Sequence, residues 1–382
     1  MKFLFLDQSG KLGGAELCLL DIVKPYANSC LVGLFADGDF RKLLETNHIP
    51  VEVLTTQGIK VNKQSGLFSA LASLGQITPL IYRVVQLARK YDVIYANTQK
   101  ALVVGAIASL FSRRPLVYHL HDILSLEHFS KTNLRVAMTL INNFASLVIA
   151  NSQASKTAFI EAGGNPNIIE VVYNGFEADN YQVDEFEVIK IREELGINDK
   201  FVVGHFSRLS PWKGQHILID ALVKCPENVN VILVGDALFG EDEYVQELHQ
   251  KVSALGLEKR VKFLGFRDDI PLLMSACNLV AHTSIAPEPF GRVIVEAMLC
   301  GKAVVAAKAG GAVELVEDGM NGFLVTPNNP QELAQVINNC VDEKVSILDI
   351  GFYGRLDASQ RFNVNNINQQ IQNLLKSFAI NK

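Results

Sequence analysis

No two cysteines in this chain are spaced C-x-x-C. The six that occur, Cys18, Cys30, Cys225, Cys277, Cys300 and Cys340, are scattered and mostly in apolar company. That argues against a disulfide scaffold or a cysteine metal site and reads as the buried thiols of a cytoplasmic protein. No apolar run is long enough to span a bilayer. The longest, Ala101 to Phe111, falls well short of the roughly 20 residues a membrane helix needs. The opening M-K-F-L-F-L-D is too short for a signal peptide and reads as a first strand. Positive charge is not in excess: the net charge is −5, which argues against a nucleic-acid binder. There is no internal repeat, no Ser-His-Asp set and no zinc motif. The first strand is not followed by G-x-G-x-x-G, which disfavours a dinucleotide-dependent dehydrogenase.

What is present points to two domains. The chain has 382 residues, 49% of them hydrophobic, enough for two sizeable cores. Strand-like segments alternate with helical ones: Lys2–Asp7, Cys30–Ala36, Val51–Leu54, Val93–Ala96, Leu116–His119, Leu147–Ala150 and Ile169–Val172. Such alternation predicts an α/β fold with a doubly wound parallel sheet. It restarts at Phe201–Phe206, so residues 1–178 form one expected domain and 185–362 the other. The amphipathic tail, about 363–382, is expected to cross back onto the first. Charge divides unevenly, with 16 Lys and Arg against 14 Asp and Glu up to Asn180, and 19 against 26 beyond it. A relatively basic first half suits an anionic acceptor or a membrane surface, or it is ordinary surface variation. The apolar stretch Gly66–Tyr91, preceded by Lys60 and Lys63 and broken by Gly75 and Pro79, reads as two helices. They either cover the sheet or rest on a membrane. Asp37-Gly38-Asp39 reads as a solvated turn.

The segment that organises the rest runs from Thr283 to Cys300, T-S-I-A-P-E-P-F-G-R-V-I-V-E-A-M-L-C. Its order is strand, loop, helix. Gly291 lets the chain turn, and the helix opens near Arg292. The unpaired N–H groups of that first turn, with the positive end of the helix dipole, make an anion site. Glu288 precedes this turn and Glu296 lies more than a turn inside the helix, so the two acids grip different parts of one long ligand.

Two Glu residues eight positions apart around E-P-F-G form the Glu-x7-Glu signature of retaining glycosyltransferases, and the chain resembles family 4 of those enzymes. The resemblance implies the GT-B fold, two Rossmann-like domains facing across a cleft. It places Glu296 on the ribose hydroxyls of a nucleotide sugar and Glu288 by the sugar ring. The Pro289–Val293 turn is implied to carry the donor, with the Phe290–Gly291 main chain on the sugar hydroxyls and the helix N–H groups of Arg292 and Val293 at the diphosphate. S-R-L-S-P-W-K-G supplies Arg208 and Lys213, cations that the family uses to stabilise the charge developing on the leaving phosphate. L-V-G-D puts Gly235 beside the nucleotide, and F-L-G-F-R puts the Phe266–Arg267 main chain near the base. In the first domain, Gly13 and Gly14 of the G-G-A-E turn face the diphosphate or acceptor. In H-L-H-D the family match falls on His121-Asp122, with His121 beside the donor sugar or acceptor. Asn174-Gly175 marks the hand-over between domains, where Glu177 replaces the family's usual Asp.

The expected activity is therefore a retaining, metal-independent transfer without cofactor. A nucleotide sugar, with UDP-glucose the first candidate, would donate to a saccharide or lipid-linked acceptor in polysaccharide or glycolipid biosynthesis. Peripheral membrane contact through the first domain accompanies that reading. Two others keep the motif: a nucleotide-sugar epimerase of the same fold, and a non-catalytic nucleotide-sugar-binding protein.

Overall fold

A computed structural model describes residues 1–55, 67–237 and 240–380. The chain forms two compact units, Met1–Gly175 with Val364–Lys382, and Phe176–Asn363. In the first unit the strands are β1 (Phe3–Asp7), β2 (Cys30–Leu34), β3 (Val51–Val53), β4 (Val93–Ala96), β5 (Leu116–Leu120), β6 (Ala145–Ala150) and β7 (Ile169–Val171). They make one parallel sheet in the order β3-β2-β1-β4-β5-β6-β7. In the second unit β8 (Phe201–Phe206), β9 (Val229–Val234), β10 (Val261–Gly265), β11 (Leu279–His282), β12 (Ala303–Ala307) and β13 (Phe323–Val325) pair in parallel in the order β10-β9-β8-β11-β12-β13. Both sheets are doubly wound, and in each the direction of winding reverses between the first and fourth strands. At such a switch point the strand ends leave a crevice for ligand.

The sequence pattern explains why both sheet faces are covered. Along β1, Leu4 and Leu6 enter one core with Val84, Ile94 and Tyr118, while Phe3 and Phe5 enter the other with Leu19, Val32 and Tyr95. A strand buried on both faces must be apolar throughout, which is why F-L-F-L does not alternate with polar residues. The tail helix, Val364–Ile380, contributes Ile367, Ile371 and Leu375 to the second of these cores. Their spacing of four places them on one helix face.

Three expectations need adjustment. The first unit ends at Gly175 rather than 178. Phe176 is buried in the second unit, where its ring stacks on Phe290 at 6.3 Å and lies under the Arg292 guanidinium at 4.4 Å, so packing draws it across the expected boundary. Gly175 is also more than a turn residue, because a Cβ there would meet Val364 Cα at 2.9 Å. The expected helix pair over Gly66–Tyr91 is one helix, Leu67–Ala88, with Pro79 inside it. Burial of Leu80, Val84, Leu87 and Ala88 against the sheet holds that helix together despite the lost N–H. Lys60, Lys63 and Gly66 lie outside the described residues. Asp37 and Asp39 pair at the surface with Arg41 and Lys42, as a solvated turn would.

Candidate active site

The ends of β8 and β11, at the switch point of the second sheet, carry the two charged loops. β8 runs into Ser207-Arg208, a 3-10 turn Pro211–Lys213, and the helix Gln215–Leu222. β11 runs into residues 283–291 and the helix Arg292–Leu299. The loops are knitted together by main chain. Ile285 N donates to Trp212 O at 2.8 Å, and the Thr283 hydroxyl donates to Gly214 O at 2.8 Å. Gly214 has φ +73°, and a Cβ there would lie 2.0 Å from Thr283 O, so only glycine lets the loops approach this closely.

The result is a buried ion pair. Lys213 Nζ lies 2.5 Å from Glu288 Oε1, with both side chains largely out of solvent. The Ser284 hydroxyl donates to the same oxygen, and His282 Nε2 lies 2.9 Å from it. Burial alone would push the Glu288 pKa up. The Lys213 ammonium and His282 outweigh it and hold the carboxyl well below the usual range. Glu288 is thus a fixed carboxylate. His205 sits behind it, with Nε2 against Thr283 Oγ1 at 3.0 Å and its pKa brought down to about 3 by burial and by His282. It is a neutral spacer in the loop junction. Arg208 is half-buried beside Ser207, and Gln215 Nε2 donates to the Arg208 carbonyl at 2.7 Å, fixing that turn.

The 288–291 segment is held from beneath by a second glycine pair. Gly311 N donates to Glu288 O at 2.8 Å, and Gly310, at φ +59°, would place a Cβ 2.2 Å from that oxygen. These glycines serve the loop's position. Phe290 turns its ring into the core, against Phe176 and Phe362, and its main chain packs so closely on Gly311 that a Cβ there would meet Phe290 O at 2.8 Å. Pro289 and Val293 are half-buried. Gly291, at φ +97°, caps the helix without a side-chain bond. Elsewhere the helices after Ser130, Ser152, Asp184, Asn329 and Ser346 are capped by those side chains. The glycine-capped ends at Gly13, Gly214 and Gly291 lack any such cap, a condition suited to an anion.

Glu296 lies on the inner turn of its helix, 3.3 Å from Arg292 Nε. Glu288 and Glu296 thus have separate cation partners. Gly235, at φ +130°, would place a Cβ 2.0 Å from Ser207 O, so its glycine is required by neighbouring backbone. Phe266 is exposed, and Arg267 pairs with Asp269 at 2.5 Å.

In the first unit the switch point gathers a different set. Asp7, at the end of β1, accepts from Asn97 Nδ2 at 2.7 Å and from Ser9 N at 2.7 Å. Asn97 Oδ1 meets His121 Nε2 at 2.9 Å. Burial raises the Asp7 pKa to about 6, against the pull of Asn97 and the Ser9 amide. Burial and the charge of Asp7 raise Glu16 to about 7. Gly13 and Gly14 are exposed and open the helix Gly14–Val23, and a Cβ at Gly13 would meet Glu16 Oε2 at 2.8 Å. Asp122 accepts from Gln99 Nε2 at 2.9 Å.

Sequence reasoning gave no role to His282, Thr283, Ser284, Asp7 or Asn97. The visible signal was Asp7, a charge closing an otherwise apolar strand. Thr283-Ser284, opening the segment after β11, was another.

Two doubly wound units, each with charged groups and a glycine-capped helix at its switch point, define the GT-B class of glycosyltransferase. The family model of glycosyltransferase family 4 matches residues 12–180, and that of glycosyl transferases group 1 matches residues 187–356; the chain belongs to this family. The HepE protein of Anabaena, whose structure was solved in complex with UDP-glucose, is 66% identical. That match covers 99% of this chain and 100% of that one, with a TM-score of 0.92. Spore coat protein SA of Bacillus subtilis is 29% identical over 258 residues, 63% of this chain and 67% of that protein. The D-inositol 3-phosphate glycosyltransferase of Corynebacterium aurimucosum is 27% identical over 302 residues, 74% of this chain and 71% of that protein.

Proposed function

We propose that this glycosyltransferase is retaining and metal-independent, and that it takes its sugar from a UDP-sugar, with UDP-glucose the first candidate. The observation that carries the donor is the complex of UDP-glucose with HepE, at 66% identity over nearly the full chain. The acceptor is a saccharide or lipid-linked saccharide, in keeping with the further HepE complex that holds UDP and glucose.

The geometry supports a division of labour. Arg208, Lys213 and the uncapped turn at Gly291–Val293 offer positive groups to a diphosphate. Glu296 accepts from the ribose diol, and the Phe266–Arg267 main chain reads the base. Glu288, held as a carboxylate, is an acceptor for sugar hydroxyls and an anchor for Lys213; it is in the wrong state for a general acid. His121, braced by Asn97, faces the sugar or acceptor from the first unit's switch point. The acceptor oxygen attacks the anomeric carbon on the face from which the diphosphate leaves. The C–O bond to phosphate breaks, and the acceptor proton passes to the departing phosphate. Two fixed cations at the phosphates supply the charge stabilisation that a divalent ion supplies in other transferases.

Among the described residues no helix is long and apolar enough to cross a membrane. Exposed Leu110 and Phe111 on the first unit suit a peripheral contact for a cytoplasmic enzyme with a lipid-linked acceptor.

The test is nucleotide and sugar release from a panel of UDP-, GDP- and ADP-sugars, with and without candidate acceptors, alongside donor binding by calorimetry. UDP-glucose is expected to be bound and cleaved best, and Glu296→Ala to weaken UDP and UDP-glucose alike by about 10- to 100-fold, the scale of one lost charged hydrogen bond. A preference for GDP- or ADP-sugars would overturn the donor. Unchanged affinity in Glu296→Ala would overturn the ribose contact. Product formed from donor alone as an epimer would favour the epimerase.

A further inference from the structure

Cys18, His119 and His121 are far apart in sequence yet meet at the switch point of the first unit. One ligand atom from each lies within 4.8 Å of the others. Cys18 comes from the first helix, and the histidines from β5 and the residue after it, two positions apart and so on one face. The two imidazoles lie 4.0 Å apart between ring centres. Cys18 and His119 are each 2% exposed, and the half-buried His121 leaves the cluster a path to solvent.

His119 Nδ1 is engaged by the Tyr95 hydroxyl at 2.8 Å, while its Nε2 is buried with no hydrogen-bond partner. A buried orphan nitrogen is costly and calls for an explanation. On His121 the tautomer follows from Asn97. That amide spends Nδ2 on Asp7 and on Ala15 O, so its oxygen must accept the His121 Nε2–H. The lone pair of the neutral ring then lies on Nδ1. Each imidazole thus has one nitrogen braced by an outer partner, as metal-bound histidines do.

The geometry points to a zinc-binding site formed by Cys18, His119 and His121, with a fourth position open to water or an exogenous ligand. Two imidazoles and a thiolate suit a borderline-soft ion such as Zn2+ and not Mg2+ or Ca2+, which require oxygen. Tetrahedral bonds of about 2.0–2.3 Å set the ligand atoms roughly 3.3–3.7 Å apart, so on binding the ligand atoms draw together by about 1 Å while the two rings splay apart. The Cys18 thiol, which donates to Asn174 Oδ1 at 3.2 Å, would release its proton to solvent as the Zn–S bond forms. An ion held there withdraws His121 from substrate. That consequence rests on the role proposed for His121; the binding itself does not.

The test uses the full chain after chelation. Calorimetry with Zn2+ is expected to show one site per chain with proton release, and Co2+ a thiolate charge-transfer band. Cys18→Ser should abolish the band and weaken Zn2+ at least about tenfold, with circular dichroism confirming the fold. If Cys18→Ser does not fold, His119→Gln serves in its place. Absence of saturable one-to-one binding, or undiminished affinity and an undiminished cobalt band in the folded variant, would overturn the site. None of these readouts depends on sugar transfer, so they stand apart from any failure of the donor assignment.

Discussion

Glu288 and Glu16 are both buried carboxylates near the end of a central parallel strand, and burial pushes each toward its protonated form. Glu288 has the Lys213 ammonium at 2.5 Å and is held well below the usual carboxylate range. Beside Glu16 the neighbouring charge is another carboxylate, Asp7, which adds to burial, and the Glu16 pKa rises to about 7. Depth is similar and sign opposite, because the neighbouring charge outweighs burial at Glu288 and adds to it at Glu16. The second unit therefore presents fixed charges, suited to a ligand whose charge is itself fixed. The first presents groups that gain and lose protons near neutrality.

The contrast can be broken most forcefully at Lys213. Lys213→Ala leaves Glu288 buried without its cation and should cost about 3–5 kcal/mol in urea unfolding. Turnover should fall by roughly 100-fold or more, with a smaller loss of donor affinity. Adding Glu288→Gln to Lys213→Ala should restore most of the stability and none of the turnover. An equal recovery of both would mean that Lys213 acts only by keeping the loop folded.

A middle-sized effect is expected at Glu16. Its folded pKa lies above its ordinary one, so the folded state holds the proton more tightly. The stability this contributes is present below about pH 4.5 and is lost as pH rises through about 7. Glu16→Gln should therefore flatten the fall in stability between pH 5 and pH 8, and be more stable at pH 8 by about 1–3 kcal/mol. Urea melts at the two pH values measure this. An unchanged slope would show that burial and Asp7 do not raise the Glu16 pKa in the fold.

The smallest effect is expected at Arg267, whose pair with Asp269 is a third or so exposed on each side. Arg267→Ala should change stability by less than about 1 kcal/mol. It should leave UDP affinity within about threefold, since the base is assigned to main chain. A larger loss of binding would move the contact to the guanidinium.

Much of this was legible from one chain. Continuous apolar strands such as F-L-F-L predict burial on both faces, and their alternation with helices predicts parallel winding. The strands Val93–Ala96 and Phe201–Phe206 fall where the pattern put them. Gly291 and the helix after it could be read because a turn followed by a 3.6-residue period is local. The neighbours of Glu288 could not be read. Lys213, His282 and Ser284 reach it from two strand ends, and which loops meet depends on strand order. Nor could the need for Gly310 and Gly311 be read, since their smallness serves Glu288 and Phe290, brought beside them by the fold.

The sequence by itself determined the two doubly wound units, the glycine turns at their helix starts and the acids and cations of the family motif, since these depend on local periodicity and backbone freedom. Only the tertiary structure decided charge: that Glu288 is ionised, that Glu16 holds its proton until about pH 7, and that Cys18 stands beside two histidines. Those properties follow from burial and from neighbours remote in the chain, and both come into being when the sheets assemble.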